Sequence, residues 1–308
     1  MADKKRLIFD CDPGVDDALA LILALNSDRV DLGGITTVSG NVSVDQTTRN
    51  ACRLLDYFDV DIPVAKGASR PLKVAPVHSE RVHGSDGLGD SPLLPPDSPR
   101  KLEPGGAVEF ILRSVGSGVG TIVATGPLTN IALAFQKDRE VMGGVRELVM
   151  MGGAIHVPGN MDSLSEFNFY VDPDAADYVL QEATVPKVLV PLDVTRKVLL
   201  TPADVAGLGE TRSGRLIRSI VPKYHSGYIG TGLPGGPLHD PLAMGFCIEQ
   251  DFLDLRPLFV RVETTGVYTR GACVPEERPW VQRPPNVEVA LGVDSERFLD
   301  YFKRTASE

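Results

Sequence analysis

The apolar run Leu7-Ile8-Phe9 passes through Asp10-Cys11-Asp12 into a Pro13-Gly14 turn and then into the Ala/Leu-rich stretch from Ala18 to Leu25. A buried strand that turns tightly into a helix is the opening unit of a parallel α/β sheet. Such sheets bind their ligands at the carboxyl ends of the strands. Here that end receives four carboxylates, Asp10, Asp12, Asp16 and Asp17, within eight residues. One or two Asp can cap a helix N-terminus, contributing roughly 1 kcal/mol each. Four at close quarters call for a counter-ion, and an all-oxygen ligand set favours Ca²⁺ or Mg²⁺ over Zn²⁺.

The same alternation continues along the chain. Further apolar runs at Leu32 to Val38, Ile62 to Ala65, Thr121 to Ala124, Glu147 to Met151 and Val188 to Leu192 are separated by stretches with helical periodicity. This predicts a single-domain open α/β fold over residues 1–308, with a mainly parallel, Rossmann-like sheet flanked by helices and the active site at the strand carboxyl ends. Ser43 is the expected N-cap of a helix reaching Phe58, and Asp172-Pro173 the expected start of a helix to Gln181. Two Gly/Pro-rich stretches, Ser69 to Pro104 and Gly227 to Pro237, are expected to be functional loops. Tyr224 and Tyr228, beside the second, are candidates for closing over a flat ligand.

A net charge of −10, without clustered Lys and Arg, argues against nucleic acid as a partner. The longest apolar runs fall well short of a membrane span, and the start of the chain lacks a signal-peptide core, so a cytoplasmic location is expected. Cys11, Cys52, Cys247 and Cys273 stand far apart, with no Cys-x-x-Cys pair, and read as packed thiols. Cys11 should face away from Asp10 and Asp12 by strand alternation.

Two more polar clusters follow. Asn160, Glu166 and Asn168 fall in one loop after the run ending Met150-Met151-Gly152-Gly153, and supply the paired donors and acceptors that sugar hydroxyls require. His239-Asp240-Pro241 puts a histidine and an acid at another helix entrance. Taken together, Asp10-x-Asp12-Pro13-Gly14-x-Asp16-Asp17, Asn160 with Glu166-Phe167-Asn168, and His239-Asp240-Pro241 resemble the inosine-uridine preferring nucleoside hydrolase family. Thr36 to Asn41, Val82 to Gly89 and Thr125 to Ala132 match it in the same order, so the resemblance covers nearly the whole chain.

The resemblance implies Ca²⁺-dependent hydrolysis of the N-glycosidic bond of ribonucleosides. It implies that Asp12 activates a metal-bound water, that Asp12, Asp17, the Thr125 main-chain carbonyl and Asp240 hold Ca²⁺, and that Asp10 supports this shell. It places Asp16, Asn160, Glu166 and Asn168 on the ribose hydroxyls, Asn41 beside sugar and water, and His83 and His239 around the base. It also implies a homodimer or homotetramer. The chemistry agrees: cleavage builds positive charge on the ribosyl ring and negative charge on the base. A leaving-group acid should titrate near neutrality, which points to His239.

Two other readings compete. An Asp-x-Asp run after a first strand also suits a Mg²⁺-dependent phosphohydrolase of the HAD type, with an aspartyl-phosphate intermediate. That chemistry needs cations for the phosphate, and none adjoins the three clusters in the sequence. A non-catalytic, Ca²⁺-dependent nucleoside-binding protein would use the same residues without Asp12 chemistry.

Overall fold

The computed structural model describes residues 4–228, 230 and 232–308. Its strands are β1 (Lys5–Cys11), β2 (Val30–Thr37), β3 (Val64–Lys66), β4 (Thr121–Ala124), β5 (Glu147–Met151), β6 (Lys187–Val190), β7 (Leu199–Leu200), β8 (Gly236–Pro237), β9 (Leu253–Val262), β10 (Cys273–Glu276) and β11 (Val287–Val293). Nine of them form one sheet in the order β10-β9-β11-β6-β5-β4-β1-β2-β3, and β7 pairs with β8 separately. From β3 to β11 every pairing is parallel, while β9 runs antiparallel to both β11 and β10. The single-domain α/β fold with a mainly parallel sheet is therefore the one the alternating runs imply.

Strand order locates the site. From β1 the chain builds outward through β2 and β3, then returns to build the other side through β4, β5 and β6. Connections leaving β1 and β4 diverge, and the resulting crevice at the strand carboxyl ends is where ligands bind in open α/β sheets. Asp10, last but one in β1, pairs with Thr36 on one side and Ala124 on the other.

Alternation sorts the side chains of β1 between two apolar layers. Leu7, Phe9 and Cys11 join the core on one face, and Ile8 joins the core on the other. Cys11 is buried in the first of these layers, as expected of a packed thiol, and all four cysteines are free.

The helix Val15–Asn26 is buried along nearly its whole length. It packs against the helix His239–Ile248, which is buried throughout. Both helices begin at the crevice, and this brings the first and third sequence clusters together. The expected helix after Ser43 spans Val44–Phe58, although the Ser43 side chain makes no cap hydrogen bond. Asp172 does cap the helix Pro173–Glu182, by accepting from the Ala175 N–H.

The antiparallel edge was not foreseen. Strand β9 is exposed from Asp254 to Pro257 and lacks the continuous apolar run of a central strand. Among the described residues, no helix is long and apolar enough to cross a membrane.

Candidate active site

A cavity of about 700 Å³ opens at the crevice and is lined from all three sequence clusters, by residues that include Asp16, Asn41, His83, Thr125, Asn160, Glu166, Asn168, His239 and Asp240. That volume falls within the range of small-molecule sites.

Its floor is acidic. Carboxylate oxygens of Asp16, Asp17 and Asp240 all lie within 4.8 Å of one another. The grouping differs from the expected ligand set, in which Asp12 held the metal and Asp16 the ribose. Asp16 and Asp17 are consecutive in the first turn of one helix and meet Asp240 in the first turn of its neighbour, whereas Asp12 stands beside the set at the end of β1. Asp12 Oδ2 accepts from the Asn41 backbone N–H at 2.6 Å. Asp17 accepts from the Gly14 N–H at 2.9 Å, the Thr125 hydroxyl at 2.8 Å and the Asn41 amide at 3.2 Å. Asp10 accepts from the Thr36 hydroxyl and from the Asn130 amide, from beneath.

Burial and mutual repulsion push every one of these acids upward. Asp10 rises to about 7 and Asp16 to about 8, both chiefly through burial. Asp12 and Asp240 rise well above the ordinary carboxylate range for the same reason. One oxygen each of Asp10, Asp12 and Asp16 is buried without a hydrogen-bond partner. Buried, unpaired carboxylate oxygens beside a triad of acids are what a hard divalent cation satisfies, so the residues present fit such an ion.

The second cluster lies on the opposite wall, and its side chains are more committed than the sequence suggested. Glu166 caps the short helix Phe167–Val171, accepting from the N–H groups of Asn168, Phe169 and Gly153 at 2.9, 3.1 and 3.0 Å. The Asn168 amide donates to the carbonyls of Thr125 at 2.7 Å and Met151 at 3.2 Å, tying together the ends of β4 and β5. Its amide donors are spent on these carbonyls. The Asn160 side-chain oxygen Oδ1 accepts from the Phe167 N–H at 2.8 Å. Asn41 likewise bridges Asp12, Asp17 and Ser79 while it lines the cavity.

An aromatic wall of His83, Tyr224, Tyr228 and His239 closes the remaining side, with successive ring centroids 5.7, 5.1 and 6.3 Å apart. His83 Nδ1 accepts from the Val15 backbone N–H at 3.1 Å, so the ring proton sits on Nε2. His239 Nδ1 meets the Thr195 hydroxyl at 2.7 Å, and its Nε2 meets the Tyr228 hydroxyl at 3.0 Å. The sequence expects His239 to titrate near neutrality, and its surroundings push the other way. Burial, reinforced by Arg196 and His83, pushes it down to about 3, and burial does the same to His83. Tyr224 is buried and donates to the Pro237 carbonyl at 2.8 Å, which makes it packing and not a lid. The expected closing stretch Gly227 to Gly236 includes Ile229 and Thr231, which lie outside the described residues.

Two cations also line the cavity, Arg81 and Arg196, although neither adjoins a cluster in the sequence. The signal for Arg196 was its position, just past the end of a parallel strand where site loops gather. Thr195, its neighbour, was missed in the same way.

The chain is similar along its length to proteins of one family. The family model described as inosine-uridine preferring nucleoside hydrolase matches residues 7–300. A non-specific ribonucleoside hydrolase, RihC, from Escherichia coli is 39% identical over 301 residues, covering 96% of each chain. A solved purine-preferring ribonucleoside hydrolase from Gardnerella vaginalis superimposes with a TM-score of 0.91 at 36% identity, covering 98% of both chains. A solved plant nucleoside hydrolase, PpNRh1, gives a TM-score of 0.92 at 31% identity, covering 99% of both. With its acidic crevice, its amide wall and this likeness along its length, the chain belongs to the inosine-uridine preferring nucleoside hydrolase family.

Proposed function

We propose that this chain, as one catalytic domain over residues 1–308, hydrolyses the N-glycosidic bond of ribonucleosides to ribose and free base with Ca²⁺ as its cofactor. The observation that carries the reading is the meeting of the Asp16, Asp17 and Asp240 carboxylates at the floor of a cavity whose wall presents Asn160, Glu166 and Asn168.

In this reading Asp12, Asp17, Asp240 and the Thr125 carbonyl would hold the ion, with Asp16 close enough to share it. Such an ion, bound there, would lower the pKa of a nearby water and offset the charge of the acids. Asp12 is the base for that water: the Asn41 N–H fixes one oxygen and leaves the other free to take a proton. Asp16, Asn160, Glu166 and Asn168 hold the ribose, while the carboxylates stabilise positive charge growing on the ring. Asn41 orients Asp12 and Asp17 from the side. His83 presents an Nε2–H to the base. His239, held between Thr195 and Tyr228, acts as a neutral relay at the base end. The protein works as a homodimer or homotetramer in the cytoplasm.

The test is release of free ribose from a panel of purine and pyrimidine nucleosides in phosphate-free buffer, before and after prolonged chelation and again with Ca²⁺ restored. Ribose that disappears on chelation and returns with Ca²⁺ supports the reading, and silence across the panel overturns it.

A further inference from the structure

We propose that Arg196 is the cationic hydrogen-bond donor for the departing nucleobase, an inference that rests on the nucleoside hydrolase reading. When the bond between C1′ and the base nitrogen breaks, its electron pair goes to the base. The water oxygen adds to C1′, and the water's proton passes to Asp12. Something at the base end must meet the negative charge that develops there.

Neither histidine brings a positive charge to the base. His83, whose Nδ1 accepts from the Val15 N–H, offers a neutral Nε2–H, and both ring nitrogens of His239 face hydroxyl groups. Arg196 lines the same cavity as His83 and His239, and it follows Thr195, whose hydroxyl is the His239 partner. Its charge acts on Tyr228, Asp193, Glu166 and His239.

Three features set Arg196 apart from an ordinary surface cation. It is half-buried, whereas Arg81, the other cation on the cavity, is exposed. Its guanidinium is held by two neutral acceptors, the carbonyls of Pro158 and Gly159, each at 2.6 Å. Among the described residues, no carboxylate lies within ion-pair distance of it: Asp193 is occupied by the N–H groups of Ile155 and His156, and Glu166 by its helix cap. A planar donor fork fixed by carbonyls, still charged and with N–H groups to spare, is preorganised for an anion that appears only as the reaction proceeds.

A purely structural role, tying the Pro158–Gly159 loop beside Asn160, makes a different prediction. Two substrates separate the roles: inosine, whose base is a poor leaving group, and 4-nitrophenyl β-D-ribofuranoside, whose phenolate leaves without help. For Arg196→Gln, kcat/KM on inosine should fall by about 100-fold or more, while the nitrophenyl riboside should change by no more than about threefold. Arg196→Lys keeps the charge but not the fork and should show the same ordering with a smaller loss; it serves where the glutamine variant fails to fold. Equal losses on both substrates, or no loss on either, would overturn the inference. Silence of the unaltered enzyme towards both would instead overturn the hydrolase reading.

Discussion

The backbone N–H of Asn41 donates to Oδ2 of Asp12 at 2.6 Å, while Oδ1 of the same carboxylate is buried with no partner. One oxygen is thus fixed by the end of β2 and its following turn, and the other is held ready at the end of β1. For Asp12→Asn we expect turnover to fall by roughly 10²–10⁴-fold, the range of a lost general base, with nucleoside binding still measurable by calorimetry. Normal turnover in this variant would remove Asp12 from the chemistry.

Gly40 is the packing partner that makes this position workable. A Cβ there would stand 2.0 Å from Asp12 Oδ2 and 2.9 Å from Pro127 Cδ. Gly40→Ala should therefore displace the carboxylate, costing about 1–3 kcal/mol of stability through overpacking and a large share of activity. Thermal unfolding and ribose release on the same preparation check both, and an unimpaired variant would mean that Asp12 tolerates movement.

Removing the metal should make stability pH-dependent in a stated direction. Asp10 and Asp16 are raised to about 7 and about 8, above the unfolded value near 4. A raised acid binds more protons folded than unfolded, so its contribution is lost as pH climbs from about 4 through about 8. Above about pH 7 the buried histidines, lowered to about 3, no longer oppose this, so the chelated protein should melt at a lower temperature at pH 8.5 than at pH 7. Because protons compete for the same oxygens, added Ca²⁺ should raise the melting temperature more at the higher pH. Calorimetry with and without the ion measures both effects, and a metal-free protein that gains stability toward pH 8.5 would contradict this account.

Glu166 serves as both helix cap and cavity wall. Its two oxygens accept three backbone N–H groups, so an amide in its place must turn an NH₂ toward a donor. Glu166→Gln should cost about 1–3 kcal/mol and raise KM for nucleosides by loosening the loop that carries Asn160. Denaturant unfolding together with steady-state kinetics tests this, and a variant with unchanged stability would show that the cap is dispensable.

His83→Phe removes the acceptor for the Val15 N–H at the start of the helix that carries Asp16 and Asp17. A buried donor left unpaired costs about 1–3 kcal/mol, and the floor of the site should lose metal affinity with it. A Ca²⁺ titration followed by melting temperature reads the change; unaltered affinity would confine His83 to the base.

The α/β class, the parallel sheet, the acidic end of β1 and the family are legible in the residues alone, because these rest on local patterns. Short continuous apolar runs and stretches of helical period declare themselves over a few residues, and Asp10, Asp12, Asp16 and Asp17 stand almost side by side. Which oxygen has a partner and which does not emerges on folding. Asp240 joins Asp16 and Asp17 because two distant helices start at the same crevice. Glu166 and Asn168 spend their polar atoms on backbone groups of β4, β5 and a short helix. Arg196 enters the cavity from a loop with no motif of its own. Hydrogen-bond partners and buried charge are properties of convergence at strand ends, and convergence between segments far apart in the chain leaves no periodic trace in either one.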